Sequence, residues 1–282
     1  MTNLLGAVEI RALAEKMNLK PTKKLGQNFV VDANTCRKIV KIAEVNKSDI
    51  ALEIGPGLGS LTLALLEQAN QVVAVEIDDR LANQLPITAS ERGFNKDKLI
   101  TLNQDAMTIS ELPIKPTVLV ANLPYNISVP VLLNILEKFP SITRGVVMVQ
   151  SEVADRLAAV ANNKDYGSPT AKANWWANLK LAGMVSRSVF WPIPNVDSSL
   201  VRFDRIKELG SESERLATFS VIDQAFAKRR KMLRSALSQL LGANAEQILI
   251  SAGIDPTDRG EVLTVEQFYS IGKKLVNGNS TK

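Results

Sequence analysis

Two acidic residues and a glycine-rich turn could together bind a nucleoside ligand. The turn Gly55–Gly59 follows an apolar run, and glycines there let the backbone approach a ligand without obstruction by side chains. Glu76 lies about twenty residues further on, where a carboxylate can accept hydrogen bonds from ribose hydroxyls. Asp105 follows the next apolar run and could accept from an adenine amino group. Ser60 stands where a dinucleotide fingerprint needs its third glycine, which disfavours a dehydrogenase; a turn without a ligand remains the alternative.

The segment Asn122–Tyr125 (NLPY) resembles the N/D-P-P-Y/F motif of S-adenosylmethionine-dependent methyltransferases that modify an exocyclic amino group of a base. Such an amine is a poor nucleophile because its lone pair is delocalised into the ring. The side-chain oxygen of Asn122 and the main-chain carbonyl of Leu123 can accept its two N–H bonds and direct the lone pair towards the methyl carbon. Pro124 fixes the turn, and Tyr125 offers a ring for an extruded base. The alternative is a plain turn with a core tyrosine.

The composition excludes several kinds of catalytic site. The 282 residues include no histidine, which excludes a Ser-His-Asp relay, a Cys-His relay and a His-ligated zinc ion. The single cysteine, Cys36, excludes an intramolecular disulfide and a multi-thiolate metal site, so we expect a cytoplasmic protein without a metal ion. No apolar run approaches the roughly 18 to 20 residues that cross a bilayer, and we expect no membrane partner.

Short apolar runs alternate with helical patterns from Ile50 onward, which predicts an α/β fold with a mostly parallel, doubly wound sheet. In such a sheet ligands bind beyond the carboxyl ends of the strands, where all of the segments above lie. The predicted strands are Ile50–Ile54, Gln71–Ile77, Leu99–Leu102, Thr117–Ala121 and Gly145–Val149. The predicted helices are Ser60–Gln68, Asp78–Ser90, Val129–Lys138 and Ser151–Val160.

The pattern changes after Arg205, where a polar segment is followed by helical patterns alone. We therefore predict a catalytic domain at residues 1–207, with an N-terminal extension at 1–22, and a small all-helical domain at 213–282. The first helix of that domain is predicted at Ala217–Leu241.

Seven segments together resemble the bacterial small-subunit ribosomal RNA adenine dimethyltransferase family (RsmA/KsgA), over about residues 23–263. Each segment is short, but their joint order is highly specific. In chain order they are Leu25–Val30 (LGQNFV), Glu53–Gly59, Val75–Asp78, Gln104–Met107, Asn122–Ser128, Phe190–Ser198 (FWPIPNVDS) and Phe226–Arg234 (FAKRRKMLR).

The resemblance implies a Rossmann-like class I methyltransferase domain that uses S-adenosylmethionine to dimethylate N6 of two adjacent adenosines near the 3′ end of 16S ribosomal RNA. Phe190 matches the family's aromatic residue that faces the target base opposite Tyr125, although from the residues alone it could equally be a core aromatic. Departures at Ser151, Pro169 and Thr170 lie in segments that we expect to touch RNA. The residues expected to hold the cofactor are Asn28, Val30, Gly55, Gly57, Glu76, Asp105 and Asn122.

A basic run, placed on the predicted helix Ala217–Leu241, is a candidate for contact with RNA phosphates. It consists of Lys228, Arg229, Arg230, Lys231 and Arg234. A solvated helix face is the alternative, and Lys20, Lys23 and Lys24 could form a second basic patch. The expected partner is 16S ribosomal RNA within the small (30S) subunit or its precursor, bound by a monomer. Two other functions remain open: methylation of 23S ribosomal RNA, and RNA or DNA docking without catalysis.

Overall fold

The computed structural model describes residues 3–22 and 26–279. Lys23 and Lys24 of the expected second basic patch, and Leu25 of the LGQNFV segment, lie outside the described residues. The chain forms two compact units, one of Met1–Ala154 with Lys180–Arg205 and one of Asp155–Leu179 with Ile206–Lys282.

The elements follow one another in this order. They are α1 (Ala7–Lys16), β1 (Phe29–Val30), α2 (Ala33–Ile42), β2 (Ile50–Ile54), α3 (Ser60–Gln68), β3 (Gln71–Glu76), α4 (Asp79–Glu91), β4 (Leu99–Asn103), β5 (Val118–Asn122), α5 (Ser128–Lys138), β6 (Arg144–Gln150), α6 (Ser151–Leu157), α7 (Ser168–Ala173), β7 (Ala177–Val185), β8 (Phe190–Trp191), β9 (Ser198–Arg205), α8 (Glu212–Ala227), α9 (Leu233–Ala236), α10 (Ser238–Leu241), α11 (Ala245–Ser251) and α12 (Val265–Asn279). Short 3₁₀ turns lie at Lys96–Lys98, Arg187–Val189, Gly242–Asn244 and Gly260–Val262.

The main sheet has seven strands in the order β4-β3-β2-β5-β6-β9-β7. Strands β2 to β6 are parallel, and β9 pairs antiparallel with β6. After β2 the chain adds β3 and β4 on one side, then returns to place β5 on the other side of β2. This change of direction is a topological switch point, and ligands of doubly wound sheets bind there. The predicted mostly parallel sheet is therefore confirmed.

The central parallel strands β2, β3, β5 and β6 are mostly apolar because both of their faces are covered. Residues Leu52–Ile54 of β2 and Val72–Glu76 of β3 are buried without alternation, as expected for strands between two helical layers. The strands β7 and β9 were not predicted from the sequence. Their pairing at the edge of the sheet depends on contacts far apart in the chain, which local patterns do not reveal.

The second unit is helical and has its own apolar core. Its longest helix, α8, begins with a capping box in which the Ser211 N–H donates to Glu214 Oε2 at 2.7 Å and the Glu214 N–H donates to Ser211 Oγ at 3.4 Å. Gly272 of α12 packs so closely on α8 that an added Cβ would lie 2.4 Å from Thr218 Oγ1.

The structure divides the chain differently from the predicted boundary at residues 207–213, because residues 155–179 group with the helical unit. The physical reason is packing: Ala159, Tyr166 and Ala171 belong to the same buried cluster as Phe268. Among the described residues, no helix is long and apolar enough to cross a membrane.

Candidate active site

A cleft opens at the carboxyl ends of β2, β3, β4 and β5 in the first unit. The cleft brings together residues predicted from separate segments, and they are Asn28, Val30, Gly55, Gly57, Glu76, Asp105, Asn122 and Pro124. Leu123, Tyr125 and Phe190 do not line it.

The glycine turn after β2 forms one wall of the cleft. Gly55 and Gly57 have φ of +67° and +58°, a conformation that favours glycine. A Cβ at position 57 would also lie 2.8 Å from the ring of Phe29. A side chain at Gly57 would therefore be strained and displace this ring.

Glu76, at the end of β3, is held by two backbone donors. Its Oε2 accepts from the Gly57 N–H at 3.1 Å, and its Oε1 accepts from the Asp78 N–H at 3.0 Å. Burial raises the pKa of Glu76, and these two donors act in the opposite direction. Each carboxylate oxygen has a further lone pair, so the held carboxylate can also accept from two hydroxyl groups.

Glu53, at the end of β2, also lines the cleft and was not selected from the sequence as a binding residue. It is 1% exposed, and its Oε2 has no hydrogen-bond partner among the described residues. Burial, and secondarily the nearby carboxyl of Glu76, raises the pKa of Glu53 to about 8. An acidic residue two positions before the glycine turn was visible in the sequence, but its burial was not.

The turn after β4 presents Asp105 to the cleft. Asp105 Oδ1 accepts from the Met107 N–H at 2.8 Å, which closes the turn. Asn134 of α5 holds the same turn, because its Nδ2 donates to the carbonyls of Ala106 at 3.1 Å and Ile109 at 3.0 Å. No sequence motif includes Asn134, so only the structure reveals this contact.

Asn122 ends β5 beside the glycine turn. Its Nδ2 donates to the carbonyl of Asn28 at 3.0 Å, which fixes the orientation of the amide. Its Oδ1 is buried and has no hydrogen-bond partner among the described residues. The Leu123 N–H donates to the carbonyl of Met148 in β6 at 3.1 Å, and this bond holds the backbone of the NLPY segment.

Tyr125 and Phe190 do not line the cleft, but each is joined to a residue that does. Tyr125 follows Pro124, and its hydroxyl is hydrogen-bonded to Ser198 Oγ at 2.7 Å. Phe190 is buried at 2% exposure and pairs with Val30 across β1 and β8. The cleft wall at Val30 is thus joined by backbone pairing to the predicted target-base aromatic.

Four of the five residues of the basic run do not lie on a helix, and Arg234 lies on the short helix α9, so the predicted single helix through the run was wrong. Helix α8 ends at Ala227, and residues 228–231 form a turn before α9. The physical reason is that Leu233 turns into the core, and its N–H donates to the carbonyl of Asp258 at 2.7 Å. Cations after a helix C-terminus are also favoured by the helix dipole.

Two of the five basic side chains have acidic partners in the same unit. Arg229 Nε lies 3.0 Å from Glu261 Oε2, and Arg234 Nη1 lies 3.8 Å from Glu246 Oε1. The other three, Lys228, Arg230 and Lys231, are exposed.

Two of the three departures from the family pattern have hydrogen-bond partners, and the third is compatible with its place in a helix. Ser151 Oγ is bonded to Ser199 Oγ at 2.9 Å, and Thr170 Oγ1 donates to the carbonyl of Arg156. Pro169 lies in the first turn of α7, where a missing N–H costs nothing.

Comparison with known proteins gives a match to one family and to full-length relatives. Residues 18–276 match the family described as "Ribosomal RNA adenine dimethylase". The chain is 57% identical over 275 residues to the ribosomal RNA small subunit methyltransferase A of Streptomyces griseus subsp. griseus, covering 96% of this chain and 94% of that protein. It is 53% identical over 279 residues to the protein of the same name from Corynebacterium diphtheriae, covering 96% and 95%.

Solved structures show the same fold. A dimethyladenosine transferase from Plasmodium falciparum is similar with a TM-score of 0.72 at 24% identity, covering 89% of this chain and 98% of that one. The 23S rRNA methyltransferase ErmE is similar with a TM-score of 0.65 at 26% identity, covering 88% and 99%. The predicted Rossmann-like methyltransferase fold is therefore confirmed.

Proposed function

The chain belongs to the ribosomal RNA adenine dimethylase family, and from this premise we propose that it transfers methyl groups from S-adenosylmethionine to N6 of adenines in small-subunit ribosomal RNA. The proposed targets are two adjacent adenosines in the 3′-terminal hairpin of 16S ribosomal RNA, within the 30S subunit or its precursor. We further propose that the enzyme acts as a monomer in the cytoplasm.

The unpartnered Oδ1 of Asn122 carries this proposal. A buried acceptor without a hydrogen bond costs about 1–3 kcal/mol, so such an atom suits a donor that a ligand brings. The hydrogen bond from Nδ2 to Asn28 holds the amide so that Oδ1 is the atom left to accept. The exocyclic amine of adenine supplies N–H donors of this kind.

The residues of the cleft fit S-adenosylmethionine. Its ribose hydroxyls suit the two oxygens of Glu76, and Glu53 and Asp105 add two further carboxyl groups to the lining of the cleft. Gly57 leaves room for a ligand where a side chain would meet Phe29. When bound, S-adenosylmethionine would supply an electrophilic methyl group on a sulfonium centre.

The chain's own contribution to the reaction is positioning. Asn122 Oδ1 and the Leu123 carbonyl accept the two N–H bonds of the target amine, which withdraws its lone pair from the ring and directs it at the methyl carbon. Burial raises the pKa of the Tyr125 hydroxyl, so Tyr125 stays neutral near neutral pH. The methylated amine is cationic and loses its proton to water, so a tuned base is not required.

The exposed cations of the second unit are the proposed RNA contacts. Lys228, Arg230 and Lys231 lie together in one turn, and no acidic partner is recorded for them among the described residues. Free cations release counterions from RNA phosphates on binding, whereas Arg229 is held by Glu261.

Methylation of large-subunit RNA is the alternative that the structural likeness to ErmE raises. Two observations favour the small subunit. The relatives at 57% and 53% identity are named small subunit methyltransferases, and they match this chain over at least 94% of their own length.

Transfer of labelled methyl groups tests the proposal. Small and large subunits from cells lacking this gene are incubated separately with the enzyme and S-adenosylmethionine, and the modified nucleoside is identified after nuclease digestion. We expect dimethyladenosine in the small-subunit RNA alone. Label in the large subunit would support the alternative, and binding without label would refute catalysis.

A further inference from the structure

The segment Phe190–Ser198 touches both aromatic residues proposed to flank the target adenine. Its first residue, Phe190, is one of them and pairs with Val30 in the cleft wall. Its last residue, Ser198, is hydrogen-bonded to the hydroxyl of the other, Tyr125, at 2.7 Å. From the sequence, Phe190 has an expected role in this segment and Ser198 has none.

Ser198 is a rigid point of attachment. It has 0% exposure and is the first residue of β9, where it pairs with Gln150 of β6. The residue before it is also fixed, because the Ser151 N–H donates to the carbonyl of Asp197 at 3.0 Å. A hydroxyl held in this way can restrict the ring that is bonded to it.

The loop leading to Ser198 is held from a second side. Arg187 Nε lies 3.3 Å from Asp197 Oδ1, and Arg187 Nη1 donates to the carbonyl of Asn195 at 3.3 Å. Both ends of the loop are therefore fixed. Phe190 pairs with Val30 at one end, and Arg187 holds Asn195 and Asp197 near the other.

Stacking of a base requires the ring of Tyr125 and not its hydroxyl. The hydroxyl is half-buried and already bonded, and it stays protonated near neutral pH, so it is not suited to act as an acid or a base. The bond to Ser198 is the one hydrogen bond that the structure gives this hydroxyl among the described residues.

We propose that Ser198 is a positioning residue, which holds the ring of Tyr125 through their shared hydrogen bond at the angle where the target adenine stacks. The proposal rests on the proposed function and deepens it, since it assigns the geometry of the base site to one segment, Phe190–Ser198.

The chain offers a closely matched control for the test. Ser199 is the next residue, is also buried at 5% exposure, and bonds to Ser151 rather than to Tyr125. Removing its hydroxyl disturbs the same end of β9 without touching the Tyr125 ring. The variants are Ser198→Ala, Tyr125→Phe, both together, and Ser199→Ala, and each is assayed for methylation of small subunits at saturating S-adenosylmethionine.

We expect Ser198→Ala and Tyr125→Phe each to lower kcat about three- to tenfold, the range for one lost hydrogen bond. The double variant should be no slower than either single one, because both remove the same bond. Ser199→Ala should stay within about twofold of the unaltered enzyme, and the Kd of S-adenosylhomocysteine should not change in any variant.

The role of Ser198 would be overturned if kcat of the double variant fell by the product of the two single effects, or if Ser199→Ala lowered kcat as much as Ser198→Ala. Either result would leave the proposed function intact. An unaltered enzyme that methylates neither subunit would instead overturn the proposed function, and the role of Ser198 with it.

Discussion

Replacing Glu53 with Gln should make the first unit more stable at alkaline pH. Glutamine keeps the shape of the side chain and carries no charge at any pH. The pKa of Glu53 is about 8 in the folded chain, against an ordinary value of 4.5, because burial disfavours the carboxylate. As the pH rises through this window, the unfolded chain releases the proton first, so the free energy of unfolding falls.

The raised pKa sets the size of the effect. At about 1.4 kcal/mol for each pH unit, the window from 4.5 to about 8 corresponds to at most about 5 kcal/mol. This stability is fully present below pH 4.5 and is lost as the pH rises through 8. The unaltered protein and the Glu53→Gln variant should therefore be alike near pH 5, and the variant should be more stable near pH 9.

Hydrogen exchange along a urea series measures this difference when it is followed in peptides that cover β2 and β3. Glu44→Gln is a suitable control, because Arg202 holds the pKa of that exposed carboxyl below its ordinary value. Its contribution is present above the ordinary pKa and is lost as the pH falls, so the control variant should be less stable than the unaltered protein by a roughly constant amount between pH 5 and pH 9. Parallel curves for Glu53→Gln and the unaltered protein between pH 5 and pH 9 would refute the reasoning.

Three further predictions concern methyl transfer, cofactor binding and RNA binding. Asn122→Ala removes the proposed acceptor and should lower methyl transfer at least about 100-fold, with less than about a tenfold change in the Kd of S-adenosylhomocysteine; equal losses in the two assays would contradict it. Asn134→Leu frees the turn that carries Asp105, and should raise the KM for S-adenosylmethionine about tenfold with kcat unchanged; a fall in kcat alone would argue against this role. Arg230→Glu should weaken binding to small subunits and reduce its salt dependence, while the same change at exposed Lys115 should do neither; equal effects would indicate net charge alone.

The parallel part of the fold could be predicted from local patterns. The strand Ile50–Ile54 and the helix Ser60–Gln68 have the predicted bounds. Turn-forming residues lie close to both ends of each element, and a mostly apolar pattern runs between them. The edge strand β7 could not be predicted in this way, since Asn178, Lys180 and Gly183 interrupt its apolar pattern. The helix predicted at Ala217–Leu241 ends at Ala227, because the Leu233 and Arg234 N–H groups donate to the carbonyls of Asp258 and Pro256 and turn the chain towards the core.

The residues of the candidate site likewise fall into those that local patterns predict and those that they do not. Gly55, Glu76 and Asp105 could be selected because the carboxyl ends of parallel strands meet at one edge of the sheet. The bond between Asn122 and Asn28 joins residues 94 positions apart, and no local pattern indicates it. The burial of Glu53 likewise depends on elements packed around the strand end, so its raised pKa required the structure.

Asn122 and Tyr125 of the NLPY segment differ in whether their polar atoms already have a hydrogen-bond partner. Asn122 Oδ1 has no partner among the described residues, so a ligand donor gains a hydrogen bond there without displacing another. The Tyr125 hydroxyl already has Ser198, so a ligand would have to break that bond to use it. Asn122 is therefore suited to bind the amine and Tyr125 to offer its ring. Both tasks depend on geometry rather than on a group that titrates, and a chain without histidine can perform them.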